Sequence, residues 1–194
     1  MTTQGARGTL FASVALALGA LALAHGAALA EASWRVDPSR THIAFAIDAV
    51  GYPRTHGEFR QFDGRISVDL QRPDRSSVSF HVQSKSVDVG SAAFGDYLRS
   101  PAFLDSARYP AIDFVSNSVT KISDHTVRVA GELTLLGVTR PLSVDVEIER
   151  QGKGQRLVFL AKTSIDRLEF GMNSGFPLVS RDVELVISSA ATQL

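Results

Sequence analysis

A chain of 194 residues with 44% hydrophobic and 21% charged side chains fits one globular domain and excludes a disordered or collagen-like polymer. Its 20 basic and 20 acidic groups cancel, so it has no general attraction to nucleic acid or to an acidic membrane surface. Cysteine is absent, which removes disulfides, thiolate metal sites and cysteine nucleophiles, and no apolar run reaches the roughly 18 residues that a membrane-spanning helix needs.

Residues 1–30 have the layout of a cleaved secretory signal peptide. Arg7 gives a positive start, Leu10 to Leu23 is apolar or small, and Ala28-Leu29-Ala30 offers small residues at both positions that signal peptidase inspects. Cleavage after Ala30 leaves a mature domain of residues 31–194, beginning at Glu31, with 19 basic against 20 acidic groups. Without a cysteine a lipoprotein anchor is not available, so a soluble periplasmic protein with no stable membrane span is expected.

From there the chain alternates with a period of two, the mark of half-buried strands. Ile43, Phe45 and Ile47 share one face and His42, Ala44 and Ala46 the other. Ile66, Val68 and Leu70 repeat the pattern, as do Val78, Phe80 and Val82. Later come Val127 to Leu135, Leu142 to Ile148, and Val183, Leu185 and Ile187. One dry face per strand predicts antiparallel sheet. Asp63-Gly64, Arg72-Pro73-Asp74, Gly137 to Pro141 and Gly152-Lys153-Gly154 are turn sequences, and such short connections predict hairpins. Eight or nine strands in one domain are expected, with no linker and no internal repeat.

One stretch breaks the rhythm. Ser91 to Ser100 puts Phe94 and Leu98 at helical spacing, and Pro101 ends the turn, which predicts one or two helical turns serving as a plug or lid.

The search for catalytic patterns is negative. His42, His56, His81 and His125 show no helical metal-pair spacing, and His56-Gly57-Glu58 is not a zinc-protease motif. Gly171 to Gly175 contains a serine but is no nucleophile elbow. Carboxylates fall singly on polar strand faces. The chain offers no visible catalytic apparatus, so no enzyme activity, no cofactor and no metal is expected.

Several segments, in order, resemble the YceI-like family of secreted lipid-binding proteins. Trp34 to Pro38 (WRVDP) is similar to the family's W-x-x-D-P opening, and Val50 to Gly64 to its strand pair with G-x-F and F-x-G. Ser86 to Pro110 resembles the element ending in L-R-S-x-x-F and Y-P; Gly131 to Pro141 resembles G-x-L-T-x-x-G-V-T, and Ile165 to Met172 resembles R-x-x-F-G. There are departures. Arg40-Thr41 replaces a histidine-serine pair, and Phe94 to Leu98 lacks the arginine and histidine of R-D-x-H-L, so polar contacts made through those positions do not carry over.

The resemblance implies an all-β, closed antiparallel, lipocalin-like barrel of about eight strands with one short helical insertion. It also implies a long isoprenoid lipid, a polyprenyl chain or an isoprenoid quinone, as the ligand. Each buried methylene contributes about 0.8 kcal/mol, so such a site needs no polar motif. Candidate wall residues are Phe45, Phe80, Leu98, Phe114, Phe159 and Phe170, for each of which plain core packing is the competing role. Arg99 and Arg167 are candidates for a headgroup. Two other classes compete with the carrier. A barrel with a packed interior would act through another protein, with a homodimer left open. A small outer-membrane barrel fares worse, because one tryptophan and three tyrosines cannot form two aromatic girdles.

Overall fold

The computed structural model describes residues 33–193 apart from Leu70 and residues 153–155, so the expected export segment and its cleavage site at Ala30 lie outside the described residues. The described chain is all-β apart from one α-helix and four short 3-10 turns. Among the described residues no helix is long and apolar enough to cross a membrane.

Eleven strands form. The first six are β1 (Ser33–Val36), β2 (His42–Ile47), β3 (Thr55–Phe59), β4 (Phe62–Ser67), β5 (Ser77–Gln83) and β6 (Val87–Asp88). The helix α1 (Ala92–Arg99) follows. The rest are β7 (Ala111–Lys121), β8 (Thr126–Leu135), β9 (Val138–Gln151), β10 (Arg156–Asp166) and β11 (Asp182–Gln193). The count exceeds the expected eight or nine because bends split long strands into pieces. Pro38–Arg40 interrupts β1 and β2, and Arg60-Gln61 separates β3 from β4. Ser84–Ser86 separates β5 from β6. At the first break the Asp37 carboxylate accepts the Ser39 N–H at 3.0 Å, a local turn that competes with the ladder. The expected strand at Ile66 to Leu70 is correspondingly shorter, since β4 stops at Ser67 and Leu70 is not described.

All pairings are antiparallel and belong to one sheet, in the order β1-β4-β5-β7-β8-β9-β10-β11-β2-β3-β6. That sheet curls strongly. β11 pairs with β2 through Glu184 to Ser188 and with β1 through Ala191 to Gln193, and β1 pairs with β4 as well. β9 and β10 pair only from Val146↔Ala161 to Gln151↔Arg156. Past Val146 and Ala161 they part, and the remaining residues of each pair with β8 and β11 alone.

Two clusters of buried side chains fill the two ends. Trp34, Val36, Ile66 and Leu157 mark the end where β1 meets β11. Val87, Leu98, Phe103, Leu135 and Phe170 mark the end where α1 packs. Each fully buried side chain of this size contributes about 1.5–3 kcal/mol relative to exposure.

The α1 helix begins as its sequence prescribes. Ser91 is extended and its hydroxyl accepts the Phe94 N–H at 3.4 Å, an N-cap, while Pro101 follows directly on the C-cap Ser100.

Candidate functional site

The concave face of the sheet bounds a cavity of about 870 Å³. That lies toward the upper end of the ~300–1,000 Å³ usual for ligand sites. Its wall is made of the dry strand faces. Ile43 and Ile47 come from β2, Val78 and Val82 from β5, and Val144 and Ile148 from β9. The alternation therefore faces a lumen and not a solid core.

Three wall phenylalanines lean against glycines. Phe45 is directly opposite Gly57, and Phe80 is opposite Gly64. A Cβ on Gly64 would lie 2.6 Å from the Phe80 ring, and one on Gly131 2.9 Å from the Phe114 ring. The rings occupy space that side chains would otherwise claim, which keeps them along the wall and lets the strands curve tightly. Three of the six phenylalanines in the strands are placed in this way.

Five of the six apolar candidates, Phe45, Phe80, Leu98, Phe114 and Phe159, line the cavity. Phe170 does not. It is 4% exposed within the cluster that holds Phe103, Leu104 and Met172, so its place is in the packed end.

Neither arginine offers a free charge. Arg99 lies off the cavity lining. Its Nε donates to the Lys85 carbonyl at 2.7 Å and its Nη2 to the Val87 carbonyl at 2.8 Å, while Nη1 meets Asp96 at 2.8 Å. It tethers α1 to the chain between β5 and β6. Arg167 does border the cavity, but it is fully buried. Its Nε donates to the Ser180 carbonyl at 2.7 Å, Nη2 to Val179 at 3.0 Å, and Nη1 to Ser174 at 2.9 Å and to Met172. A guanidinium has five N–H donors and here at least four are taken by carbonyls of one loop. Burial pushes its pKa down, and the neighbouring Asp166 opposes that shift. Both side chains hold backbone carbonyls, which the sequence did not show.

The other charged side chain on the lining is Asp69, and it too is satisfied. It accepts the Gln71 and Arg72 N–H groups at 3.0 and 2.9 Å and pairs with the Arg72 guanidinium at 3.2 Å. Those bonds, the Arg72 N–H first, hold its carboxyl below the usual range against the opposing effect of burial. The cavity is therefore an apolar container whose two charged side chains already have their hydrogen bonds within the fold.

Some lining residues carry no strand signal. Phe103 and Leu104 follow the helix in a turn, while Tyr52 and Val179 sit in the two loops beside the α1 end. Their visible mark is composition. Residues 49–53 and 171–180 are free of acidic and basic side chains, unlike ordinary surface loops. Among the described residues no group of three or more His, Asp or Glu side chains is placed to hold a metal.

The comparisons agree with this architecture. The profile of the YceI-like domain matches residues 34–191. A UPF0312 protein of Pseudomonas putida is 35% identical over 180 residues, covering 90% of this chain and 93% of its own. Protein YceI of Escherichia coli O157:H7 is 33% identical over 184 residues, covering 92% of this chain and 95% of its own. Among solved structures, Burkholderia cenocepacia BcnA superposes with a TM-score of 0.76 at 22% identity, over 81% of this chain and 99% of that one. A polyisoprenoid binding domain from Saccharophagus degradans gives 0.70 at 13% identity, over 84% and 99%. At such identities these two likenesses speak for the fold. With the profile spanning nearly all of the described sheet and the sequence relatives matched over more than nine-tenths of their length, the chain belongs to the YceI-like family.

Proposed function

We propose that this protein is a periplasmic binding protein that holds one long isoprenoid chain, of a polyprenyl lipid or an isoprenoid quinone, for carriage or storage. The observation that carries the reading is the cavity of about 870 Å³, walled by apolar strand faces, with the two charged side chains on its lining already hydrogen-bonded within the fold. A barrel with a packed interior that works through protein contacts would have no use for such a volume. The ligand class is supported by the structural neighbour described as a polyisoprenoid binding domain.

Closure of the sheet into an eight-strand barrel belongs to the same proposal. If β1 with β2, β3 with β4, and β5 with β6 count as three bent strands, each of eight strands pairs with the next and the last with the first. Where β9 and β10 part, the turn Arg167–Phe170 packs against β9 and covers the seam.

Native mass spectrometry of protein purified without detergent tests the reading. The expected result is an added mass that organic extraction removes and that proves to be an isoprenoid. Protein of bare polypeptide mass, with no uptake of added prenyl lipids, would overturn it. The periplasmic location rests on Arg7, the Leu10 to Leu23 run and Ala28-Leu29-Ala30. It is checked by amino-terminal sequencing of material released by osmotic shock, which should begin at or within two residues of Glu31.

A further inference from the structure

We infer that the α1 end of the cavity is a bilayer-docking lip, formed by the loops 49–53 and 171–180 and fitted to a neutral phospholipid surface. This rests on the lipid-carrying reading and adds the place where the lipid is exchanged.

The two loops are joined. Ala49 pairs with Val179, the Val50 N–H donates to the Leu178 carbonyl at 2.8 Å, and the Ser180 N–H donates to the Asp48 carbonyl at 2.9 Å. Arg167 gathers four carbonyls of the second loop from behind, so the lip is held in shape from the protein side. The large side chains that it exposes most are apolar. Val50 is 69% exposed, Tyr52 78%, Phe176 53% and Leu178 64%. Burying these four would be favourable, and none of the other described residues covers them.

Three features select a bilayer as the partner. The first is continuity: Tyr52 and Val179 line the cavity, and Val50 and Leu178 beside them face outward. An unbroken apolar path thus runs from the lumen to the tips. A prenyl chain can pass along it without crossing water, which a partner that merely capped the mouth would prevent. The second is the absence of charge on the tips, combined with an aromatic hydroxyl at Tyr52, the type of side chain that settles at a membrane interface. The third is the charge at the base of the lip. Arg54 is bound by Glu184 at 2.5 Å and Asp48 at 3.6 Å, and Arg181 by Asp166, with Glu169 and Asp182 also near Arg181. Counting Arg167 behind the loop, three cations among five anions give no attraction to acidic lipids, so docking is driven by apolar insertion and is insensitive to salt.

The test is flotation with phosphatidylcholine vesicles, comparing the purified parent with the double variant Val50→Asp, Leu178→Asp. Neither residue lines the cavity. The parent should float equally at low and high salt, and gain nothing from added anionic lipid. The variant should lose about tenfold or more of its vesicle partitioning, because two charges must then enter the interface. Both should take up the same amount of a labelled long prenyl alcohol offered in detergent micelles. A Val115→Asp control, exposed on β7 away from the lip, should float as the parent does.

The lip is overturned if parent and double variant float alike, or if the Val115→Asp control sinks with the variant. It also falls, alone, if the parent stays in solution while still taking up the prenyl alcohol. A parent that neither floats nor takes up the alcohol defeats the lipid-carrying reading itself. Light scattering covers the remaining occupant: a dimeric parent and a monomeric double variant would assign the lip to a second copy of the chain and overturn the bilayer.

Discussion

A guanidinium enclosed by four peptide carbonyls, with no carboxylate in contact, makes Arg167 a clamp for the loop that follows β10. The Asp166 carboxylate is hydrogen-bonded to Arg181, so its charge favours the Arg167 guanidinium without touching it. Replacing Arg167 by methionine keeps the volume and removes every donor. Each carbonyl left buried and unpaired costs about 1–3 kcal/mol, less whatever water can restore. The expected result is a Tm lower by several degrees, at ~2–4 °C per kcal/mol for a domain of this size. Amide hydrogen exchange should locate the lost protection in residues 171–180, and uniform loss across β8 and β9 would contradict the clamp. A second residue-scale test concerns Gly64. The three atoms nearest to an alanine Cβ there all belong to the Phe80 ring, the closest at 2.6 Å, so the ring must give way and swing toward the lumen. Gly64→Ala should stay folded, with a Tm within a few degrees of the parent, and bind long prenyl chains more weakly in a titration. Unchanged affinity would mean the ring found room elsewhere.

At the scale of elements, α1 joins the lid to the wall. Arg99 fixes its last turn to the Lys85 and Val87 carbonyls, and Leu98, 9% exposed, reaches the cavity with Phe103 and Leu104 behind it. A carboxylate in place of Leu98 would cost several kcal/mol if it stayed buried and ionised. Local opening of one short helix can relieve that cost, since the helix is tied through few bonds. Leu98→Asp should therefore remain folded by circular dichroism and lose bound lipid, whereas cooperative unfolding would make α1 part of the indispensable core. The turn Arg167–Phe170 carries a pH dependence. Its N-cap Asp166 accepts the Leu168 N–H at 3.0 Å, and the Arg181 guanidinium foremost holds the Asp166 carboxyl below its ordinary value. A depressed carboxylate stabilises the fold fully above its unfolded-state pKa, and the contribution is lost as pH falls through the lower folded-state value. Thermal melts of parent and Asp166→Ala should differ at neutral pH and converge in acid below that value; a constant gap across the range would exclude ionisation as the cause.

For the whole molecule the governing quantity is the length of apolar chain that the cavity accepts. The lining runs from Asp69 and Pro73 at one end to Tyr52 and Val179 at the other, so a longer chain finds further wall to cover. With about 0.8 kcal/mol for each buried methylene, affinity should rise along a prenyl series before it levels off. A titration from short to long prenyl alcohols checks this. Affinity that stays flat from the shortest member would mean that only a small part of the cavity is used.

The sequence alone determined which side of each strand is dry, because a period of two assigns alternate residues to opposite faces whatever the neighbouring strands are. Ile43, Phe45 and Ile47 or Val78, Phe80 and Val82 could be placed on the inner face without knowing what lay across from them. The helix between Ser91 and Pro101 was legible for a similar reason, since its cap and its stop are local chemistry. Whether the dry faces met in a solid core or around a space was decided only by the tertiary structure. Contacts such as Gly64 with the Phe80 ring join residues from separate strands and leave no periodic trace in the chain. The arginines show the same limit. Arg99 and Arg167 looked like available cations because a sequence lists side chains and not the carbonyls that converge on them. Folding brought Lys85 and Val87 to the one, and Met172, Ser174, Val179 and Ser180 to the other. Backbone acceptors are present at every residue, so only their convergence in space gives them a preference.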